Sequence, residues 1–134
     1  MKQRTCAEQV VERANETGRV FTLYMEDGEV YEEGSAEEGL PSFHEYGLSF
    51  DYVEGDEDED TGILSSGFYR YCLSWGGPSD EVRFYRNGAI EYRYHDWFDG
   101  AGVIVTELPW AQWLEEFFTD VGSIDWIRDE EDVF

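Results

Sequence analysis

The stretch GFYRYCLSWGGPSDEVRFYRNGAIEYRY, residues 67–94, reads as three consecutive β-strands. From Gly67 to Trp75 the chain alternates, with Tyr69, Tyr71, Leu73 and Trp75 on one side and Arg70, Cys72 and Ser74 on the other. That is the two-residue period of a half-buried strand. Gly76-Gly77-Pro78-Ser79 then interrupts it, because glycine tolerates positive φ and proline has no N–H for a ladder. Val82 and Phe84 resume the alternation. Asn87-Gly88 follows, a strong hairpin signal that predicts a type I′ turn, before Ile90, Tyr92 and Tyr94 form the next strand.

Upstream, Tyr46-Gly-Leu48-Ser-Phe50-Asp-Tyr52 alternates in the same way, so the expectation is a four-stranded antiparallel meander. Its aromatic face needs a cover, and both chain ends offer helices. Pro109 suits a first helical turn. Trp110, Trp113, Leu114, Phe117, Phe118 and Val121 follow at the spacing of one buried stripe, with Gly122 as a stop. At the other end Thr5 and Glu8 have capping-box spacing, and Val10, Val11 and Ala14 share a face. Residues 19–33 admit two readings. Either the helix continues through Phe21 and Met25, or residues 19–25 and 29–33 form a hairpin turning at Glu26-Asp27-Gly28. The fold class expected is α+β, one domain over residues 1–134, with an acidic mobile loop at 54–62 and an acidic tail at 128–134.

Charge carries most of the functional information. The chain has 32 Asp and Glu against 9 Lys and Arg, a formal net charge of −23. A surface this negative repels phosphate, so direct binding of DNA, RNA or an anionic membrane is not expected. Disorder is the usual companion of such acidity, but 9 Phe, 9 Tyr and 5 Trp argue for a packed core. No apolar run has the length of a membrane span or of a signal peptide's core, so a cytoplasmic protein is expected. The charge is also uneven. No Lys or Arg occurs between Val20 and Tyr69, a segment with fifteen carboxylates, and the segment from Ala101 onward has nine carboxylates and only Arg128. Between these blocks Arg70, Arg83, Arg86 and Arg93 nearly balance Asp80, Glu81, Glu91, Asp96 and Asp99.

Three stretches, Tyr46-Gly-Leu-Ser-Phe-Asp-Tyr-Val53, Leu73-Ser-Trp-Gly-Gly-Pro-Ser-Asp-Glu81 and Asp96-Trp-Phe-Asp-Gly-Ala101, resemble a family of small acidic proteins encoded on bacterial plasmids, phages and other mobile elements. The resemblance spans about residues 43–101. It implies a long N-terminal helix, favouring the helical reading of residues 6–26, and a context in which such proteins disarm host defence. It supplies no catalytic residue.

Motifs for chemistry are weak. Asp56-Glu-Asp-Glu-Asp60-Thr-Gly62 has the acidity of a calcium loop, but counting from Asp56 puts Thr61 where an EF-hand has glycine and Gly67 where it has glutamate. A solvated loop is the better reading, and no metal or cofactor is expected. Cys6 and Cys72 read as reduced thiols. Cys72 and His95 fall on the same strand face, yet no third residue orients them for nucleophilic catalysis. Asp96 and Asp99 read as turn caps rather than an acid–base pair. Ser74 to Asp80 shares only its glycines with a phosphate loop.

The remaining reading is mimicry of a nucleic-acid backbone: carboxylates fill the basic groove of a host restriction enzyme or CRISPR effector. The expected partner-binding residues are Glu26, Asp27, Glu29, Glu32, Glu33, Glu37, Glu38, Asp56, Glu57, Asp58, Glu59, Asp60, Asp129, Glu130, Glu131 and Asp132, with Tyr31 or Phe134 as aromatic anchors. Two other readings stand beside it, an immunity protein plugging a basic nuclease toxin and a domain whose acidity reflects a halophilic source.

Overall fold

The computed structural model describes residues 5–55, 67–74, 78–96 and 99–127. The fold is α+β. Helix α1 spans Cys6–Glu26, α2 Gly28–Glu33 and α3 Phe43–Tyr46. Strands β1 (Ser49–Val53), β2 (Phe68–Cys72), β3 (Pro78–Tyr85), β4 (Ile90–Asp96) and β5 (Asp99–Ile104) follow, and α4 (Pro109–Asp120) comes last. The sheet is an antiparallel meander in the order β1-β2-β3-β4-β5. It therefore has five strands rather than the four expected. β5 escapes a pattern search because Gly100 and Gly102 stand at the positions where a polar outward residue would show the alternation.

Register separates the two faces. Phe50, Tyr69, Tyr71, Val82, Phe84, Ile90, Tyr92 and Tyr94 point to the core. Asp51, Arg70, Glu81, Arg83, Glu91, Arg93 and His95 point the other way. The β3–β4 hairpin differs in detail from the expected type I′ turn. Its loop has three residues, Arg86, Asn87 and Gly88, closed by Tyr85 N–H to Ala89 O (2.9 Å) and Gly88 N–H to Tyr85 O (3.0 Å). Only the glycine needs positive φ here, at +90°, as in a type I turn followed by a glycine bulge.

Helix α1 begins at Thr5, whose hydroxyl accepts the Glu8 N–H at 3.2 Å. It runs through Gly18 to Glu26, so residues 19–33 form no hairpin. Asp27 instead caps α2, accepting the N–H groups of Glu29 (3.0 Å) and Val30 (3.3 Å). α1 crosses the sheet obliquely. Its first N–H donates to Asp99 of β5 (2.8 Å), Thr17 meets Tyr92 of β4 (3.1 Å), and the Phe21 ring lies 6.1 Å from Tyr71 of β2. α4 lies beside it on the same face, with Phe118 stacked on Phe50 at 4.2 Å and Trp110 on Phe21 at 5.7 Å. Two expected core positions face outward: Val11 is 52% exposed and Val121, beyond the end of α4, 59%. Tyr46, expected to open β1, closes α3 instead.

Gly18 weakens the helix locally, by about 1 kcal/mol relative to alanine. Trp110 explains it: a Cβ at Gly18 would fall 2.9 Å from Trp110 Cε2 and nearer still to Nε1. Gly18→Ala therefore gains propensity but wedges α1 from α4. The expected net effect is a loss of about 1–2 kcal/mol, read from the urea unfolding midpoint.

Buried tyrosines give a second expectation. Burial raises the hydroxyl of Tyr24 to about 12, and burial also raises Tyr71 and Tyr92, the last helped by its bond to Asp80. A folded-state value above the unfolded one near 10 contributes stability that is complete below pH 10 and lost as pH climbs through the folded value. Tyrosinate absorbance from these rings should rise together with loss of near-ultraviolet ellipticity, as one cooperative alkaline unfolding step.

Candidate functional site

The acidic segment after α1 is built by short local structures that keep side chains in water. Glu26 ends α1, Asp27 caps α2, and Glu29, Glu32 and Glu33 lie on α2. Glu37 and Glu38 sit in a turn closed by two 2.9 Å bonds between Ser35 and Leu40. Ser35 Oγ accepts the Glu38 N–H there at 3.3 Å. All seven of these carboxylates are exposed. Asp56, Glu57, Asp58, Glu59, Asp60, Asp129, Glu130, Glu131 and Asp132 lie outside the described residues, as do most of the expected 54–62 loop and the 128–134 tail.

Among the described residues, Arg19 is the cation that meets this segment. It holds Glu38 at 3.2 Å and Glu16 at 3.1 Å. The contact also joins the segment to a column the charge count concealed. Glu8, Glu12 and Glu16, at i, i+4 and i+8, are all exposed on α1, a carboxylate about every 6 Å along the axis. Their spacing was available in the sequence, but the neighbouring arginines made residues 1–19 look basic.

Arg13 belongs elsewhere. It turns under α1 and grips Asp80 with both arms, Nε to Oδ1 at 2.9 Å and Nη2 to Oδ2 at 2.7 Å, while its guanidinium lies 4.2 Å from the Tyr94 ring centre. Asp80, 6% exposed, also accepts the hydroxyls of Ser74 (2.9 Å) and Tyr92. Ser74 Oγ in turn accepts the Asp80 N–H at 2.9 Å. Since Tyr92 gives its proton to Asp80, Thr17 donates to Tyr92. Burial alone would raise the Asp80 carboxyl, but the bonds from Arg13, Tyr92 and Ser74 outweigh it and hold the group below its ordinary value. Ser74 and Asp80 thus act as a clamp that ties the residue after β2 and the start of β3 to α1. A cleft of about 250 Å³ opens beside it, between Glu16, Tyr46 and Asp80.

The outward sheet face pairs three further arginines. Arg70 pairs with Asp51 at 2.7 Å, Arg83 with Glu81 at 2.7 Å and Arg93 with Glu91 at 3.4 Å. His95 Nε2 lies 3.4 Å from Glu81 Oε1. Cys72 stands opposite Glu81 and His95 opposite Ser79, so β3 separates the thiol from the imidazole and the two form no nucleophile–base pair. Asp99 accepts the Cys6 and Gly100 N–H groups, at 2.8 and 3.0 Å, and these bonds lower its carboxyl. It works as a helix and turn cap. Tyr31 is half-buried and stacks on Phe43 at 5.1 Å, so it is part of the packing rather than an exposed anchor. Phe134 lies outside the described residues.

No protein-family model, no curated protein and no solved structure matches the chain. Among the described residues, no helix is long and apolar enough to cross a membrane, and no group of three or more His, Cys, Asp or Glu is arranged to hold a metal ion.

Proposed function

We propose that the protein is a non-enzymatic acidic inhibitor that presents carboxylates in place of nucleic-acid phosphates to a basic nucleic-acid-binding protein in the host cytoplasm, such as a restriction enzyme or a CRISPR effector complex. One observation carries the reading. Arg13, Arg70, Arg83 and Arg93 are all taken by acids within the fold, while Glu26, Asp27, Glu29, Glu32, Glu33 and Glu37 form no ion pair among the described residues. The field is therefore not cancelled along the 26–37 segment.

The chemistry follows from what a nucleic-acid groove recognises. Each strand of a B-form duplex offers one charge per about 3.4 Å of axis, and its partners answer with Lys and Arg. Carboxylates on α1, α2 and the 35–40 turn offer a run of exposed negative charge on a scaffold with no phosphodiester to cleave. Attraction of this kind accelerates encounter and weakens as salt screens it. The resemblance to mobile-element proteins fits the same use. The test is a pull-down from a bacterial lysate that carries restriction and CRISPR systems, with the purified chain as bait, at low and moderate salt. Retention of nucleic-acid-binding proteins at low salt and their release at moderate salt is the expected result. Retention of none, or retention indifferent to salt, contradicts the reading.

A further inference from the structure

We propose that two copies of this chain join edge to edge through β5 in an antiparallel, two-fold pairing centred on Gly102. Neither the charge reading nor the inhibitor function is needed for this; it rests on the free edge of the sheet.

β5 is the last strand, and among the described residues nothing pairs with its outer edge. Val105 N–H bonds to Ile90 O at 2.8 Å, and the register pairs Tyr92 with Val103 and Tyr94 with Ala101. By antiparallel alternation Ala101 and Val103 bond toward β4, and the main-chain groups of Gly100, Gly102 and Ile104 point to the open side. Exposed edges of this kind are normally blunted by lysine, proline, a bulge or charge. Here Gly100-Ala-Gly-Val-Ile-Val105 carries none of these residue types. In a chain of −23 it is an uncharged strip, and its neighbours on β4 include Arg93 and His95.

The edge is also complementary to itself. A two-fold through Gly102 sets Ile104 of each copy opposite Gly100 of the other, the isologous pattern in which i meets j and j meets i. Ile104 is 62% exposed, an apolar side chain with no cover, and in the pairing it would meet the His95 ring that lies over Gly100 of the other copy. The glycines are needed within each copy. A Cβ at Gly100 would lie 2.7 Å from His95 Nδ1, and one at Gly102 would lie 2.8 Å from Glu91 Cδ, so both β4 side chains fold over β5. Two Glu91 groups would approach at the axis. Arg93, opposite Gly102 in the register and with its buried Nε unpartnered among the described residues, sits where it can answer them.

α1 starts over β5 and ends over β2, so the acidic segment 26–38 lies toward the far end of the sheet from the joint. Repulsion still opposes pairing, so the dimer should grow with salt as the screening length falls from about 10 Å at 0.1 M to about 3 Å at 1 M. Binding to a basic partner has the opposite salt dependence, which keeps the two proposals separable.

Equilibrium sedimentation of the full chain, up to about 1 mM and across that salt range, tests the joint. A dimer whose fraction rises with salt is expected. Ile104→Asp should shift the wild-type dimer to monomer by putting charge into the strip. Ile104→Pro should do the same by removing a ladder N–H at an edge position where proline is tolerated by the monomer. Far-ultraviolet circular dichroism should be unchanged in both variants. A chain that stays monomeric at every salt concentration overturns the proposal and leaves the edge for a strand of another protein. A dimer that both variants leave intact also overturns it, since the contact then lies elsewhere.

Discussion

Lysine at Glu32, Glu33, Glu37 and Glu38 together should weaken binding to the basic partner by about a hundredfold at low salt. Each exposed ion pair contributes about 0.2–1 kcal/mol, and reversal replaces that attraction with repulsion of similar size. Four reversals reach the roughly 2.7 kcal/mol that a hundredfold requires. All four side chains are exposed, and the described contact they make with a cation is Arg19–Glu38, so the fold should survive. Titration calorimetry against the captured partner measures the loss. Reversal of Glu116 and Asp120, both exposed on α4, serves as the control, because it changes net charge equally per residue on another surface. Equal losses per reversed charge in both sets would mean that total charge, and not the 26–38 segment, governs binding. Unchanged affinity in the first set would move the contact to Asp56–Asp60 or Asp129–Asp132.

The largest stability effect should come from Asp80. Asp80→Ala removes the acceptor for Arg13, Tyr92 and Ser74 at once, leaving Tyr92 with Thr17 and Ser74 with the main-chain N–H of residue 80 as remaining partners. The expected loss is about 3 kcal/mol, measured by urea unfolding. Arg13→Ala should cost less, about 2 kcal/mol, since Arg13 is 40% exposed and Asp80 keeps its two hydroxyl donors. The double variant should fall well short of the sum, because each single change already breaks the pair.

The pH dependence of this clamp has a definite sign. The Asp80 carboxyl titrates below its ordinary value in the folded state. Its contribution is therefore complete above the unfolded-state value near 4 and is lost as pH falls through the lower, folded value. Self-repulsion acts oppositely, since protonating other carboxylates relieves a charge of −23. Wild type should gain stability on mild acidification and lose it at stronger acid. The gap between wild type and Asp80→Asn should narrow only on that last limb.

How far these features show in the sequence depends on their range. β1 to β4 are visible because each buries one face, so the two-residue period is written into Tyr69, Tyr71, Val82, Phe84, Tyr92 and Tyr94. β5 is not, because its outward positions are Gly100 and Gly102, emptied to let His95 and Glu91 lie across them. α4 is visible from its apolar stripe. The length of α1 is ambiguous because Gly18 and Asp27-Gly28 look like breakers; one accommodates Trp110 and the other caps a second helix. The clamp at Asp80 could not be read at all, since Arg13 and Asp80 are 67 residues apart and meet only through the crossing of α1 over the sheet. The acidic segment was visible as composition. That its carboxylates stay uncompensated required knowing where the arginines go.

Competition with nucleic acid tests mimicry most directly. With the chain bound to its captured partner at low salt, a duplex or guide-loaded substrate that the partner recognises is titrated in, and the bound fraction of the chain is followed. Mimicry predicts mutual exclusion, with the chain displaced as nucleic acid fills the basic groove, and displacement in the reverse order when the chain is the titrant. A ternary complex, with both bound at saturation, would contradict it.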